Sequence, residues 1–374
     1  MPALGELPAM STRLLITADT AGGVWVYTLS LCRALAGANV AVRLVALGAP
    51  SEEQREAAQR LGNVELLVRP ARLEWMPDPW RDLDALAADL PNLAAAGGCD
   101  LVHLNHLVHG HLDWGRPVVC VVHSCVQSWF EAVRGHPAPP EWRQYRRRVR
   151  RSLQAADHVV APSEWMLQRA QHFYGPLHRR SVIANGSGAP LAEPKAPRRG
   201  ILAAGRVWDD AKNVAPLIDL APRLSAPLRI VGPRSAPGAG VTETANGLGG
   251  LPQEALWAEM RRAAVFAAPA LYEPFGLGVL EAARSGCALV LGDIPTLREI
   301  WQGAAVFVDP HRPEDWEWAI EHLLHHPHER LRLARAAQHR ATRFTLEHMA
   351  RCYLALYRRT MDVTAGGRVK AEAL

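Results

Sequence analysis

The stretch APALYEPFGLGVLEAARSGCALVLGDIP, residues 268–295, holds two glutamates, Glu273 and Glu281, with Pro-Phe-Gly-Leu-Gly between them. CALVLGD near its end and AAVFAAPA, which overlaps its start, are short apolar runs of strand length. Between them Pro274, Gly276 and Gly278 mark where a loop becomes a helix through GVLEAARSG. Backbone N–H groups in a first helical turn have no intrahelical partner, and the macrodipole leaves that end positive, so a phosphate is its natural occupant. Glu273 lies at the mouth of such a site, with Glu281 two turns deeper, up to about 12 Å away at the helical rise. Carboxylates accept hydrogen bonds and sugar hydroxyls donate them. A hexose and a ribose joined by a diphosphate would satisfy the whole set, with a carboxylate for each ring and a helix end for the charge.

Outward from this stretch the chain alternates strand and helix. RLLITADT reads as a strand, Gly22 and Gly23 as a tight loop, and VWVYTLSLCRALAGAN as a helix with apolar residues at helical spacing. VAVRLVALG, CDLVHLNH, PVVCVVHS and ADHVVAPS continue as buried strands, with a charged helix from about Ser51 and another that Ser163 could cap. The proline- and glycine-rich segment 185–200 breaks the alternation and reads as a linker. The pattern then restarts with GILAAGRV, PLRIVG, AAVFAAPA and CALVLGD, and TLEHMARCYLALYRRTM closes the chain as an amphipathic helix. Parallel strands with helical crossovers explain both halves. The fold class is α/β, in two Rossmann-like doubly wound domains: 12–188, then 197–345, then a closing helix over 346–360 packing back towards the first. Ligands of open α/β sheets bind outside the carboxyl ends of the strands, so the site is expected where those ends face each other across a central cleft. The glycine-rich segment 232–250 reads as a mobile surface loop.

A chain of 374 residues, 49% apolar, has the material for two cores. No run of eighteen apolar residues suggests a membrane span, and the first residues lack a basic region followed by an apolar one, so a cytoplasmic protein is expected. Six scattered cysteines without a CxxC pair fit buried thiols in a reducing compartment. Of the net charge of +5, the segment EWRQYRRRVRRSL, 141–153, carries the equivalent on its own. That segment could meet anionic lipid at the inner membrane face or an acidic substrate; the alternative is a solvated helix face.

GRVWDDAKN adds Arg206 and Lys212 after a strand, flanking a turn, where fixed positive charge could neutralise a diphosphate leaving group, so that no metal or cofactor is needed. With these segments in place, the chain resembles glycosyltransferase family 4, the retaining nucleotide-sugar transferases of GT-B fold. ALYEPFGLGVLEAARSGCALV is similar to that family's E-x7-E signature, TAGGVWVYTLSLCRALA to its N-terminal glycine loop and helix, and CDLVHLNH and VVHS to its histidine-bearing strand ends. ADHVVAPSEWM resembles its following strand and helix, VIANGSG the segment before its interdomain linker, and GRVWDDAK its phosphate-binding turn. The resemblance spans roughly residues 12–360.

It implies that Glu273 holds donor-sugar hydroxyls, Glu281 the ribose, and Arg206 and Lys212 the diphosphate. Phe275, Gly276 and Leu277 would offer backbone N–H groups, Gly22 and Gly23 would let the opposite loop approach, and His123 would lie near the transferred sugar. Contacts to the nucleobase are expected near Gly250 and Leu251. UDP-sugar is favoured over GDP-sugar, and the acceptor is a glycan, lipid or small molecule. The sequence departs from the family at GDIPTLREI, where Pro295 and Thr296 replace a Gly-Gly pair before Glu299. Retention by double displacement needs two carboxyls about 5 Å apart, closer than Glu273 and Glu281 are expected to be, so front-face displacement is the expected mechanism. A sugar-nucleotide-binding protein without turnover and an epimerase on the same fold are the alternatives.

Other motifs give weaker signals. His103, His106, His109 and His111 could form a metal site, but no cysteine or carboxylate completes the set. Asp82 and Asp84 mimic a metal-binding Asp-x-Asp within a helical pattern, where residues two apart do not face each other. His322, His325, His326 and His328 are expected at an exposed helix end. Trp75, Trp80, Trp114 and Trp129 could line an acceptor cleft, with core packing the simpler reading. No partner role for nucleic acid is expected.

Overall fold

The computed structural model describes residues 12–192, 198–233 and 247–372, with side chains described to 363. The first half forms one sheet from β1 (Thr12–Asp19), β2 (Val40–Leu47), β3 (Val64–Arg69), β4 (Leu101–Leu104), β5 (Val118–Val121), β6 (His158–Ala161) and β7 (Arg180–Val182). Its helices are α1 (Gly23–Ala36), α2 (Glu52–Gln59), α3 (Trp80–Ala96), α4 (Val126–Trp129), α5 (Arg143–Ala155) and α6 (Glu164–Tyr174). The second half forms another sheet from β8 (Ile201–Ala204), β9 (Leu228–Val231), β10 (Val265–Ala268), β11 (Ala288–Gly292) and β12 (Val306–Val308). Around it lie α7 (Ala215–Leu220), α8 (Gln253–Arg262), α9 (Leu277–Arg284), α10 (Pro295–Trp301), α11 (Pro313–His325) and α12 (Pro327–Ala341), and the chain ends in α13 (Leu346–Glu372).

All strand pairs within the two sheets are parallel, in the orders β3-β2-β1-β4-β5-β6-β7 and β12-β11-β10-β8-β9. The strand order reverses between β1 and β4 in the first sheet and between β8 and β10 in the second. At each reversal the loops leaving neighbouring strands part to opposite faces and open a crevice. The loops that carry Gly22, Asn105, Arg206 and Glu273 leave those four strands.

Central strands are apolar on both faces because helices cover both; β4, β5 and β11 are buried at every position. Of the edge strands, β3, β7 and β12 lack that continuous apolar signature and are half-exposed or exposed over most of their length, whereas β9 is mostly buried. Ser51 caps α2 in a capping box with Gln54, and Ser163 accepts the Met166 N–H at the start of α6. Among the described residues no helix is long and apolar enough to cross a membrane.

The closing helix, expected to end near 360, runs on to Glu372. Its Met349, Ala350, Tyr353, Leu356 and Tyr357 join α1 and the first sheet in one apolar core. The chain thus crosses between the sheets twice, and the two crossings touch: Ser187 bridges Thr345 in parallel, and the Ser187 N–H donates to Phe344 O at 3.1 Å. Segment 185–192, expected as a linker, is packed rather than loose. Ala189 is fully buried, and the Arg284 guanidinium donates to its carbonyl at 2.6 Å. Residues 193–197, and 234–246 of the expected surface loop, lie outside the described residues.

Polar groups beneath the first sheet's carboxyl ends form a closed network. His109 Nε2 donates to Leu83 O at 2.8 Å, so its Nδ1 accepts from His106 Nε2 at 2.6 Å, and His106 Nδ1 in turn accepts from the Thr17 hydroxyl at 2.9 Å. His103 lies in β4 with Nδ1 2.6 Å from the Tyr357 hydroxyl of α13. These rings bond to protein groups rather than converging on a metal, and among the described residues no three histidine, cysteine or acidic groups are arranged to hold one. Asp82 and Asp84 pair with Arg72 and Arg148 respectively.

Two outcomes are expected. A Cβ on Gly186 would lie 2.4 Å from the Thr345 carbonyl oxygen, backbone against backbone. Gly186→Ala therefore should lower stability by about 1–3 kcal/mol in urea unfolding. Burial holds His103 and His109 down at about 4, and His106 is lowered by burial and by its neighbour His109. In the unfolded chain these rings take up protons near the ordinary value of 6.5, while the folded chain does not until about pH 4. The unfolded state binds more protons in that window, so the unfolding free energy should fall as pH drops from about 6.5 to 4. Replacing His109 with Gln should flatten that limb of a pH-resolved denaturation series.

Candidate active site

The second crevice assembles its groups through backbone ties. After β8 the chain turns through Gly205 and Arg206 to Lys212; Asp209 Oδ1 accepts the Ala211 N–H at 3.0 Å and Asp209 Oδ2 accepts Arg206 Nη2 at 2.5 Å. The loop after β10 is fastened to this turn, because the N–H groups of Leu271 and Tyr272 both donate to Ala211 O. Asn213, at φ 50, donates through its amide to Pro269 O and Pro310 O. Held together in this way, the Lys212 ammonium and the Glu273 carboxylate form an ion pair with side chains 23% and 18% exposed.

Three residues beyond Glu273 the chain enters α9 through Gly276 in the left-handed region, φ 89. That conformation is easy only for glycine, and it starts the helix, whose first N–H groups have no intrahelical partner, beside Glu273: a Cβ on Gly276 would lie 3.4 Å from Glu273 Cγ. Helical geometry begins only at Leu277, so Glu281 lies about one turn into α9 rather than two. Glu281 is 6% exposed and accepts Gln253 Nε2 of α8 at 3.1 Å; burial raises its carboxyl above the usual range. Phe275 is buried against Phe344, so only its backbone faces outward chemistry. Leu251, just before α8, is half-buried, and Gly250 has open space where a side chain would stand.

The first domain closes on this crevice. Gly22, at φ 128, lies so close to Arg206 that a Cβ would come within 2.4 Å of Nη1, so a larger residue would displace the guanidinium; Gly23 next to it has room. Asp19, at the end of β1, is raised by burial and opposed by the Ala21 N–H and by the Arg206 charge. His123 follows β5 and donates from Nε2 to Asn105 Oδ1 at 2.8 Å; its ring meets Tyr27 edge-on at 4.4 Å. Burial, with His103 adding to it, lowers His123 to about 3.

A polar seam fixes the two crevices relative to each other. The Glu299 carboxylate accepts the Glu164 and Trp165 N–H groups at 2.8 and 2.9 Å, occupying the start of α6. Ser163 Oγ donates to Pro274 O at 2.8 Å. The Tyr272 hydroxyl lies 2.9 Å from Ser128 Oγ and accepts the Cys125 N–H at 3.3 Å. Arg134 reaches across to Asp210 at 2.6 Å. Pro295 and Thr296, the departure from the Gly-Gly pattern, begin α10, and Thr296 Oγ1 donates to the Glu273 carbonyl at 2.6 Å. The substitution removes one N–H, at Pro295, and adds a brace behind Glu273.

Sequence reasoning missed Asp19, Asn105 and Tyr272, and took Thr296 only as a departure from a family pattern. Each is a polar residue in a strand-end loop or at a helix start with at least one partner more than twenty positions away. The tryptophans divide: Trp114 is core, Trp80 and Trp129 pack under Arg148 and Arg134, and Trp75 is 39% exposed. The α5 arginines other than Arg148 are exposed, over a buried face of Tyr145, Val149 and Leu153. His322 is half-buried and bonded to Glu329, while His325, His326 and His328 are exposed.

Comparison with known proteins agrees with this geometry. Residues 21–187 match the model of Glycosyltransferase Family 4, and residues 195–340 match that of Glycosyl transferases group 1. A D-inositol 3-phosphate glycosyltransferase of a Nocardioides species is 26% identical, covering 91% of this chain and 85% of that protein. Its counterpart in Corynebacterium efficiens is 24% identical over 94% of each. Among solved structures, sucrose-phosphate synthase from Thermosynechococcus elongatus superposes with a TM-score of 0.76 at 18% identity, covering 94% of this chain and 100% of that one. HepE of Anabaena, solved with UDP and glucose, gives 0.73 at 16% identity, covering 93% and 100%. The two family matches together take in most of the chain and meet at the crossing between the sheets. The chain belongs to the family 4 type of glycosyltransferases and has their GT-B fold.

Proposed function

We propose that the enzyme transfers a hexose from a nucleoside diphosphate sugar, UDP-sugar before GDP-sugar, to an acceptor hydroxyl with retention of anomeric configuration. The observation that carries this reading is the Lys212–Glu273 ion pair beside the start of α9, with Arg206 against Gly22. It offers a carboxylate for sugar hydroxyls and fixed cations with free N–H groups for a diphosphate, at one strand-order reversal. The two side chains neutralise each other; a donor would draw the ammonium to phosphate and the carboxylate to hydroxyls. Glu281, held by Gln253, is assigned to the ribose, and the segment at Gly250 and Leu251 to the base.

Arg206 and Lys212 would stabilise the departing diphosphate, whose oxygen would take the acceptor proton on the same face as the forming bond. The C–O bond to phosphate breaks as the C–O bond to the acceptor forms, and the proton leaves with the diphosphate. The cations supply the charge stabilisation that a metal would otherwise give, so turnover is expected without one. HepE was solved with UDP-glucose, which supports uridine, and the inositol phosphate glycosyltransferases among the relatives make a cyclitol hydroxyl the first acceptor to test. The exposed α5 arginines support a weak, salt-sensitive attraction to anionic lipid.

Four measurements check this reading. Thermal shift against a panel of sugar nucleotides should single out UDP-sugars, since a ligand of the folded state raises its apparent stability. Glu273→Gln and Lys212→Ala should each lower kcat by about 100-fold or more, the scale for losing one charge-stabilising group. The product anomer, read by NMR, should match the donor; an inverted product, or a sugar–enzyme adduct in mass spectrometry, would end the front-face mechanism. The protein should co-sediment with phosphatidylserine vesicles at low salt and be released by 0.5 M salt on the order of the screening expected; no binding at low salt removes the lipid contact.

A further inference from the structure

The hydrogen bonds around Asn105 fix where the protons of the site histidine sit. Asn105 is 8% exposed, and its amide nitrogen donates to Thr17 O at 2.8 Å and to Thr28 Oγ1 at 3.2 Å. A carbonyl can only accept, so the nitrogen must face Thr17; the flipped amide would set two acceptors against each other. Thr28 can receive that bond because its own hydroxyl proton goes to Val24 O at 2.7 Å. The Oδ1 atom therefore points to the two histidines, and it too can only accept. It lies 3.0 Å from His103 Nε2 and 2.8 Å from His123 Nε2, so both Nε2 atoms carry protons. His103 Nδ1 then accepts from the Tyr357 hydroxyl. Burial keeps both rings neutral at physiological pH, and the groups around His123 add no positive charge: Tyr27 from α1 and His103 from β4. His123 Nδ1, with no bonding partner among the described residues, is a bare acceptor.

We propose that Asn105 is the positioning residue of this site, holding His123 in the Nε2–H tautomer so that Nδ1 presents a lone pair to a hydroxyl of the bound sugar. His123 is then a fixed, uncharged acceptor rather than a proton donor. It favours a ligand group with an O–H to give over a carboxylate, phosphate or carbonyl, and so discriminates for a neutral hydroxylated ring. Assigning that hydroxyl to the donor sugar rests on the transferase reading above; the tautomer does not. The chain Tyr357 to His103 to Asn105 to His123 also ties the last helix of the protein to the site.

The test is a nitrogen NMR spectrum of the full-length protein with 15N-labelled histidine, His123 being assigned by its loss in His123→Gln. A pyridine-like shift at Nδ1 and a pyrrole-like shift at Nε2 are expected; a proton on Nδ1, or a charged ring at pH 7, overturns the proposal. In Asn105→Leu the His123 signals should move to an average of the two tautomers, and kcat/KM should fall about tenfold or more, as for a lost buried hydrogen bond. The same leucine introduced into His123→Ala should cause little further loss, because the residue acts through the ring. An equal loss in both backgrounds would mark a merely structural role and overturn it. If Asn105→Leu does not fold, the wild-type spectrum decides alone. Absence of turnover with every sugar nucleotide would count against the transferase reading and leave the spectrum's answer intact.

Discussion

A two-domain site works only if its halves are held at the spacing of one ligand, and here the spacing is held by hydrogen bonds that neither domain could satisfy by itself. The first N–H groups of α6 need an acceptor, and the acceptor is Glu299 of the other domain. The Pro274 carbonyl, immediately after Glu273, takes the hydroxyl of Ser163, the residue that caps that same helix. Separation of the domains would leave these groups to water. The cost is moderate for each, since exposed helix starts are readily hydrated. Such a seam registers the domains without welding them, as a cleft that must admit and release a substrate requires.

Charge is used differently on the two sides of the cleft. The second domain's side is ionic: Arg206 with Asp209, and Lys212 with Glu273. On the first domain burial holds His103, His106, His109 and His123 below the usual imidazole range and raises the Asp19 and Glu74 carboxyls, Glu74 to about 7. The cations described beside Glu273 and Gly22, Lys212 and Arg206, both belong to the second domain. The opposite wall offers dipoles that select by hydrogen-bond direction rather than by charge.

Much of this was legible in the sequence, for physical reasons. Strands buried on both faces carry unbroken apolar runs, so β1, β2, β4, β5, β6, β8, β10 and β11 stand out; β3, β7 and β12, at sheet edges, do not. Glu273, Gly276 and the Arg206–Lys212 turn could be found because local rules govern a glycine-started helix and a turn after a strand. Asn105 could not, since its meaning lies in Thr17, Thr28 and His123, set beside it only by the strand order. Thr296 is a similar case: read as a departure from a family pattern, it proves to brace the Glu273 backbone. Glu281 was expected a full turn too deep because the helix was counted from Glu273, whereas the left-handed Gly276 resets the count.

The position of α13 bears on how the chain is made. Met349, Tyr353 and Tyr357 belong to the core of the domain built from the first half of the sequence. A ribosome delivers that half first, and domains generally begin to fold as they emerge. This one then lacks a strip of its core, with His103 missing its tyrosine partner, until α13 has left the exit tunnel. The nascent domain must wait, incompletely covered, while the whole second domain is synthesised. The finished enzyme, by contrast, has α13 packed into the core of the first domain, so that this domain reaches its final form only after the second has been made.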